Sequence, residues 1–395
     1  MTQGPTHSGG DIVSLFSRHF RHQKLVWLVT LALALAAPTI VQALPEEAET
    51  YVQSADQLLQ KGDLRGAAIQ LRNAIQKAPE DGALRVKLGQ VYLALGDPVA
   101  AEATVIAARE RGIPEDLTAA LLAEALYKQG NFGRLLKVVP AGNRPAEAES
   151  AVRTFRGLAH LALGENSNAE TMLFDAERLD PTGLMPRVAL VSWFLFNNRV
   201  EDADREADAA LAISPDNSAA LTSKGWVLIV KNDTVAALEK LNAAIERDPS
   251  NLQALTFRAG LRVREGDLDA AQKDLDTILA RVPRSVEGNY LQAMVQARKG
   301  DLKAADETLT KISSSFGQFA QGYLLAGVVK YRLDQLDVAE DYLSRYVARV
   351  PNTASAYTIL AAIAVRKGDS KRALDAVQKA LKLAPDDRLS QLRQP

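Results

Sequence analysis

Apolar residues in this chain fall into short runs spaced three and four apart, and the runs come in pairs. Between Leu252 and Pro283 one run ends near Ala259, a break falls at Gly266-Asp267, and Ala271, Leu275 and Ile278 mark a second run that Pro283 closes. This spacing predicts two amphipathic helices joined by a tight turn. Glycine accommodates the positive φ that follows a helix end, and the adjacent Asp can cap the next helix. Moved along the chain in steps of 34 residues, the same landmarks return. Proline recurs at Pro79, Pro181, Pro215, Pro249, Pro283, Pro351 and Pro385, with Pro114 one residue off the grid. The turn recurs at Gly62, Gly96, Gly130, Gly164, Asn198, Asn232, Gly266, Gly300, Asp334 and Gly368, which makes ten units.

A second grid constrains packing. Position eight of each unit holds Ala55, Gly89, Ala123, Gly157, Gly225, Ala259, Ala293, Gly327 or Ala361, with Val191 the exception. A small residue there lets two helices approach closely. Ala67, Ala101, Ala169, Ala203, Ala237, Ala271, Ala305, Ala339 and Ala373 open the second helices, and only Leu135 breaks that series. In the second unit Leu88, Gly89 and Tyr92 are followed by Ala101, Val105 and Ala108. The period and these residues resemble the tetratricopeptide repeat, in which one helical hairpin cannot bury its apolar face alone and stacks on its neighbours. The expected fold is all-α: a TPR solenoid, a superhelix of about ten helix-turn-helix repeats over residues 44–395.

Residues 1–24 are polar and end basic, and Leu25 to Ala37 is a weakly polar to apolar run ending at Pro38. At about thirteen residues the run is short of a bilayer span, and Val41-Gln42-Ala43 offers a cleavage pattern. Residues 1–43 are therefore read as a signal peptide cleaved after Ala43, which implies a periplasmic protein. The alternative is an inner-membrane anchor with the repeats facing the periplasm, since apolar character extends to Val41. The chain carries 47 Lys+Arg against 48 Asp+Glu, so no bulk electrostatic argument points to nucleic acid. The absence of cysteine excludes disulfides, thiolate metal sites, a cysteine nucleophile and a lipid anchor on cysteine.

The third unit is irregular near residues 131–146. Its second helix reads FGRLLKVVPAGN, with Leu135 in place of Ala and Pro140 cutting it short. It is expected to bend the stack, as a local kink or as a hinge between units one to three and the rest. This unit, the opening KGDLRGAAIQLRNAIQKAPEDGALRVKLGQVYLALGDPVAAE and the late LLAGVVKYRLDQLDVAEDYLSRYVARVPNTASAYTILAAIAVRKGD resemble the TPR-repeat proteins of the PEP-CTERM/exosortase system. That resemblance covers most of residues 46–385 and implies a role beside bacterial exopolysaccharide loci. The partners it implies are envelope proteins of a polysaccharide assembly or export system.

The repeat resemblance also implies a concave groove lined by the first helix of each pair. Its inward candidates are Met185, Phe196, Trp226, Tyr290, Met294 and Tyr331, which either face a ligand or pack between helices. Arginine recurs at one position in four successive units, at Arg264, Arg298, Arg332 and Arg366, beside Lys299 and Lys367. These form either a basic ladder for an acidic peptide or acidic glycan, or cations stabilising helix C-termini. The expected function is an exported scaffold for protein partners. The alternatives are a direct polysaccharide-binding protein and an adaptor for pilus or cell-wall assembly. His160 is the one histidine beyond residue 43 and has neither a nucleophile elbow nor metal-ligand spacing beside it, so no catalytic, cofactor or metal site is expected. The last helix, near Ala373 to Leu383, has apolar Ala373, Leu374, Val377 and Leu381 with no polar cover, which leaves open a truncated product, a docked partner or self-association through that end.

Overall fold

A computed structural model describes residues 44–384, and the proposed signal segment at 1–43 lies outside them. Among the described residues the secondary structure is helical. The first seven helices are α1 (Glu46–Gln60), α2 (Leu64–Lys77), α3 (Gly82–Ala94), α4 (Pro98–Glu110), α5 (Glu115–Lys128), α6 (Phe132–Val138) and α7 (Ala146–Leu163). They are followed by α8 (Asn166–Leu179), α9 (Leu184–Phe196), α10 (Val200–Ile213), α11 (Ser218–Val230), α12 (Thr234–Arg247), α13 (Leu252–Glu265) and α14 (Leu268–Arg281). The last six are α15 (Val286–Arg298), α16 (Leu302–Ile312), α17 (Ala320–Arg332), α18 (Leu336–Arg349), α19 (Ala354–Arg366) and α20 (Ser370–Leu383). Each odd-numbered helix and its even-numbered successor form one repeat. The described residues divide into two compact units, 44–254 and 255–384, with the division inside α13 rather than at the irregular third repeat.

Local chemistry explains the register. All ten predicted turn positions have positive φ, between 56° at Asn198 and 88° at Gly300. Glycine meets no steric penalty there, and Asn and Asp are the side chains that tolerate it best. In the following helices Asp63, Asp97, Asp267, Asp301 and Asp369 each accept the backbone N–H three residues on, at 2.8–3.2 Å. Such a cap contributes about 1 kcal/mol.

The small residue at position eight is set against position 24 of the same repeat. A Cβ added at Gly157 would lie 2.6 Å from Leu173, at Gly225 2.9 Å from Leu241, and at Gly327 2.6 Å from Leu343. Val191, the exception in the series, is fully buried, and position 24 of its repeat is Ala207. The larger residue has moved from the second helix to the first, and the volume at the crossing is roughly conserved.

Within each unit successive odd-numbered helices touch, as α15 does α17 and α17 does α19, whereas even-numbered helices do not approach one another as closely. Odd-numbered helices therefore line the inner side of the curvature and even-numbered ones the outer. The irregular third repeat keeps its core: Val139 is fully buried at position 24 although α6 has ended. The carbonyls this truncation exposes are covered by Arg156, whose guanidinium donates to Leu136 O at 2.9 Å and Val139 O at 2.7 Å.

Candidate functional site

The predicted arginine ladder occupies the C-termini of odd-numbered helices in the C-terminal unit. Arg298 donates Nη1 to the Val263 carbonyl near the end of α13, and Arg332 donates to Ala297 O of α15 at 2.8 Å. Each reaches back 35 residues, so each guanidinium donates to a helix-end carbonyl of the preceding repeat that also accepts a turn N–H, Gly266 at Val263 O and Gly300 at Ala297 O, rather than to its own helix. Arg366 binds the Asp334 carboxylate in the preceding turn, and its Cζ lies 5.6 Å from the Tyr331 ring centroid. Arg264 is mostly covered, with Nε 3.7 Å from Glu265 Oε1. Periodicity of arginine thus reports a repeated inter-repeat bond. A guanidinium has five donors, and Arg298 and Arg332 remain exposed.

The aromatic candidates separate into two groups. Trp226, in the N-terminal unit, is 2 % exposed, and Tyr290 is 7 % exposed with its ring edge-on to Phe319 at 4.8 Å. These two are core residues, because neighbouring repeats cover the positions they occupy, and neither offers a ring face to a ligand. Met185, Phe196, Met294 and Tyr331 are half-buried. In the C-terminal unit Met294, Val328 and Ala362 are equivalent in register and partly exposed, so α15, α17 and α19 present an apolar strip beside Arg298, Arg332 and Arg366.

Two further features, one in each unit, were passed over by sequence reading. Acidic side chains at the start of even-numbered helices receive cations from the following repeat: Asp269 from Lys299 at 2.6 Å, Asp306 from Lys330 at 2.8 Å, and Asp337 and Glu340 from Lys367 at 2.6 and 2.7 Å. The Lys299 ammonium hydrogen-bonded to Asp269 holds that carboxyl below the usual carboxylate range. The separation of Asp269 from Lys299 and of Asp337 from Lys367 is one period less four, a correlation of charge that would have revealed both bonds. In the N-terminal unit Glu124 and Lys128 on α5 form a buried pair, Oε1 to Nζ 2.7 Å. Burial pushes the Glu124 carboxyl up against the opposing pull of Lys128, and pushes the neighbouring Tyr127 phenol up too.

His160 Nδ1 lies 2.6 Å from Glu165 Oε2 across the turn after α7, and this contact holds the Glu165 carboxyl down. It is a local turn contact. No group of three or more His, Cys, Asp or Glu among the described residues is arranged to hold a metal, and no described helix is long and apolar enough to cross a membrane.

A tetratricopeptide repeat model matches residues 58–112, and a second model of the same description matches 189–251, 258–309 and 324–388, together more than half of the sequence. The chain is a tetratricopeptide repeat protein. The Cut9–Hcn1 hetero-tetramer structure of APC/C matches this TPR protein at 12 % identity, covering 88 % of this chain and 95 % of that one, with a TM-score of 0.50. A tetratricopeptide repeat protein from Parabacteroides merdae matches at 17 % identity over 66 % and 96 % of the two chains, TM-score 0.44. Yeast Tom70 matches at 14 % identity over 89 % and 88 %, TM-score 0.38. At such identities the likeness concerns the fold. No curated protein matches the chain. As a TPR array the chain is a scaffold suited to protein–protein interaction, a role that needs a shaped surface and no reacting group.

Proposed function

We propose that the chain is an exported scaffold that holds protein partners of an exopolysaccharide assembly or export system in the bacterial envelope, using the inner strip of α15, α17 and α19. The observation that carries the binding role is the partly exposed run Met294, Val328 and Ala362 beside Arg298, Arg332 and Arg366. An extended or helical segment with apolar anchors and acidic flanks is complementary to that arrangement. The envelope location rests on the basic, then apolar, then Val41-Gln42-Ala43 pattern of the first 43 residues. The exopolysaccharide assignment rests on the resemblance of the third, ninth and tenth repeats to the PEP-CTERM-system proteins.

Direct glycan binding is a weaker reading, because Trp226 and Tyr290 are in the core and offer no ring face for a sugar to stack on. The test is a crosslinked pull-down from native envelopes with the full chain, followed by identification of proteins and glycan. Recovery of polymerase, chain-length or export components supports the proposal. Acidic glycan alone transfers the role to the arginines, and pilus or cell-wall proteins overturn the exopolysaccharide assignment.

A further inference from the structure

Repeat ten, α19 and α20, exposes apolar positions that repeats four to eight bury. Val377 is half-buried, whereas its equivalents Leu71, Val105, Leu173, Ala207, Leu241, Leu275, Leu309 and Leu343 are at most 2 % exposed. Val365 is 66 % exposed, whereas Leu161, Leu195, Ile229, Val263 and Ala297 at its position are at most 6 %. Leu374 is 57 % exposed and lies three residues before Val377 and seven before Leu381, so the three share one helical face.

The charge around this stripe is reversed from that of repeats seven to nine. Repeats seven, eight and nine place Asp269, Asp306, Asp337 and Glu340 where the next repeat's lysines reach them. The corresponding positions in repeat ten are Lys371 and Leu374. Residues 354–383 contain Arg366, Lys367, Lys371, Arg372, Lys379 and Lys382 against only Asp369 and Asp375. Lys371, Lys379 and Lys382 are exposed, and Lys371 and Lys382 have no acidic partner among the described residues.

A second copy docked face to face would oppose Lys371 and Lys382 to their own mates, and like charges in contact disfavour such a dimer. A second copy docked through α1 would offer Glu46 and Glu49, but the rest of that exposed stripe is Gln53, Gln57 and Gln60, with no apolar side chain to fill the uncovered stripe. We propose that the α19–α20 face docks an acidic amphipathic helix of a different protein, with aliphatic anchors on Val365, Leu374 and Val377 and carboxylates on Lys371 and Lys382. The site is separate from the groove invoked above and stands independently of it.

The test displays a library of amphipathic helices with a fixed leucine stripe and randomised Glu, Lys, Gln and Ser flanks, selected on the full chain. Enriched flanks are expected to be acidic. A selected helix is expected to bind more weakly as salt is raised and to lose at least about tenfold in affinity against V365E/L374E. K371E/K382E is expected to turn the preference towards basic flanks, and both double variants are expected to melt with the parent because they alter exposed side chains. Neutral or basic enrichment, or binding unchanged in V365E/L374E, would overturn the proposal. So would dimerisation of the free chain that V365E/L374E abolishes, which makes a second copy the occupant. Binding that occurs only after residues 385–395 are removed would make that segment the occupant instead.

Discussion

Repeats three and nine reach the same crossing of two helices by different means. In repeat nine the backbone is regular, position eight is Gly327, position 24 is the fully buried Leu343, and Arg332 reaches back to one carbonyl of the repeat before. In repeat three the second helix stops at Val138, and side chains replace what the missing turns would have supplied. Glu149, 2 % exposed, accepts the Gly142 N–H at 2.8 Å and binds Arg144 at 2.7 Å and Arg153 at 2.8 Å, while Arg156 covers the last carbonyls of α6. Where the period holds, stability is spread over many weak and similar bonds. Where it breaks, stability is concentrated in one buried carboxylate.

The largest effect expected from this contrast is at that carboxylate. Glu149→Ala leaves the Gly142 N–H without its acceptor and removes one carboxylate from two arginines, of which Arg144 keeps Asp116 and Pro140 O and Arg153 keeps Asp175. It is expected to lower unfolding stability by about 3 kcal/mol in a denaturant titration. A loss under about 1 kcal/mol would mean that the third repeat does not depend on the hub. Next comes Gly327→Leu, whose first added carbon meets Leu343 Cγ at 2.6 Å, and which is expected to cost about 1–3 kcal/mol by overpacking. Gly225→Leu against Leu241 is the same experiment in the N-terminal unit. An unchanged melting temperature in both would reject the register.

Arg332→Ala is expected to cost about 1 kcal/mol, the net contribution of one hydrogen bond to a helix-end carbonyl. Lys299→Ala, which removes only an exposed ion pair with Asp269, is expected to leave the melting temperature unchanged within error.

The buried Glu124–Lys128 pair sharpens the contrast through pH. Because the folded carboxyl is raised above its unfolded value, the folded state holds that proton more tightly. This contribution to stability is present at low pH and is lost as pH rises from the ordinary carboxylate range through the raised value. The double variant Glu124→Leu/Lys128→Met is expected to lack that slope and to be at least as stable at neutral pH. If its pH profile superimposes on the parent's, the pair does not titrate as described.

The fold was legible because its determinants are local and periodic. A turn that needs positive φ, an Asp that caps the next helix and a small residue at a close crossing each leave a mark at one sequence position, repeated ten times. Even Val191, which interrupts the position-eight series, has its explanation in Ala207 one helix later. The arginine ladder was legible as a pattern but not as a set of bonds, because the acceptor of Arg298 and Arg332 is a backbone carbonyl and carries no sequence identity. Trp226 and Tyr290 show the limit from the other side. Their spacing places them on the inner helices, but burial there depends on how neighbouring repeats close over each position, which a single helix's periodicity does not record. The Glu149 hub was missed because Gly142 and Arg144 lie in a loop with no repeat equivalent and Glu149 lies in the additional first turn of α7.

The inner strip of the C-terminal unit is proposed to receive a protein. The most direct measurement places a photoactivatable side chain at position 294 of the full chain, expressed in its native cells, and identifies what it captures on irradiation. The predicted result is a protein adduct with a component of polysaccharide assembly or export, absent when the same group is placed on the outer side of the unit at position 338. Capture of glycan without protein at position 294, or the same adducts from both positions, would contradict it.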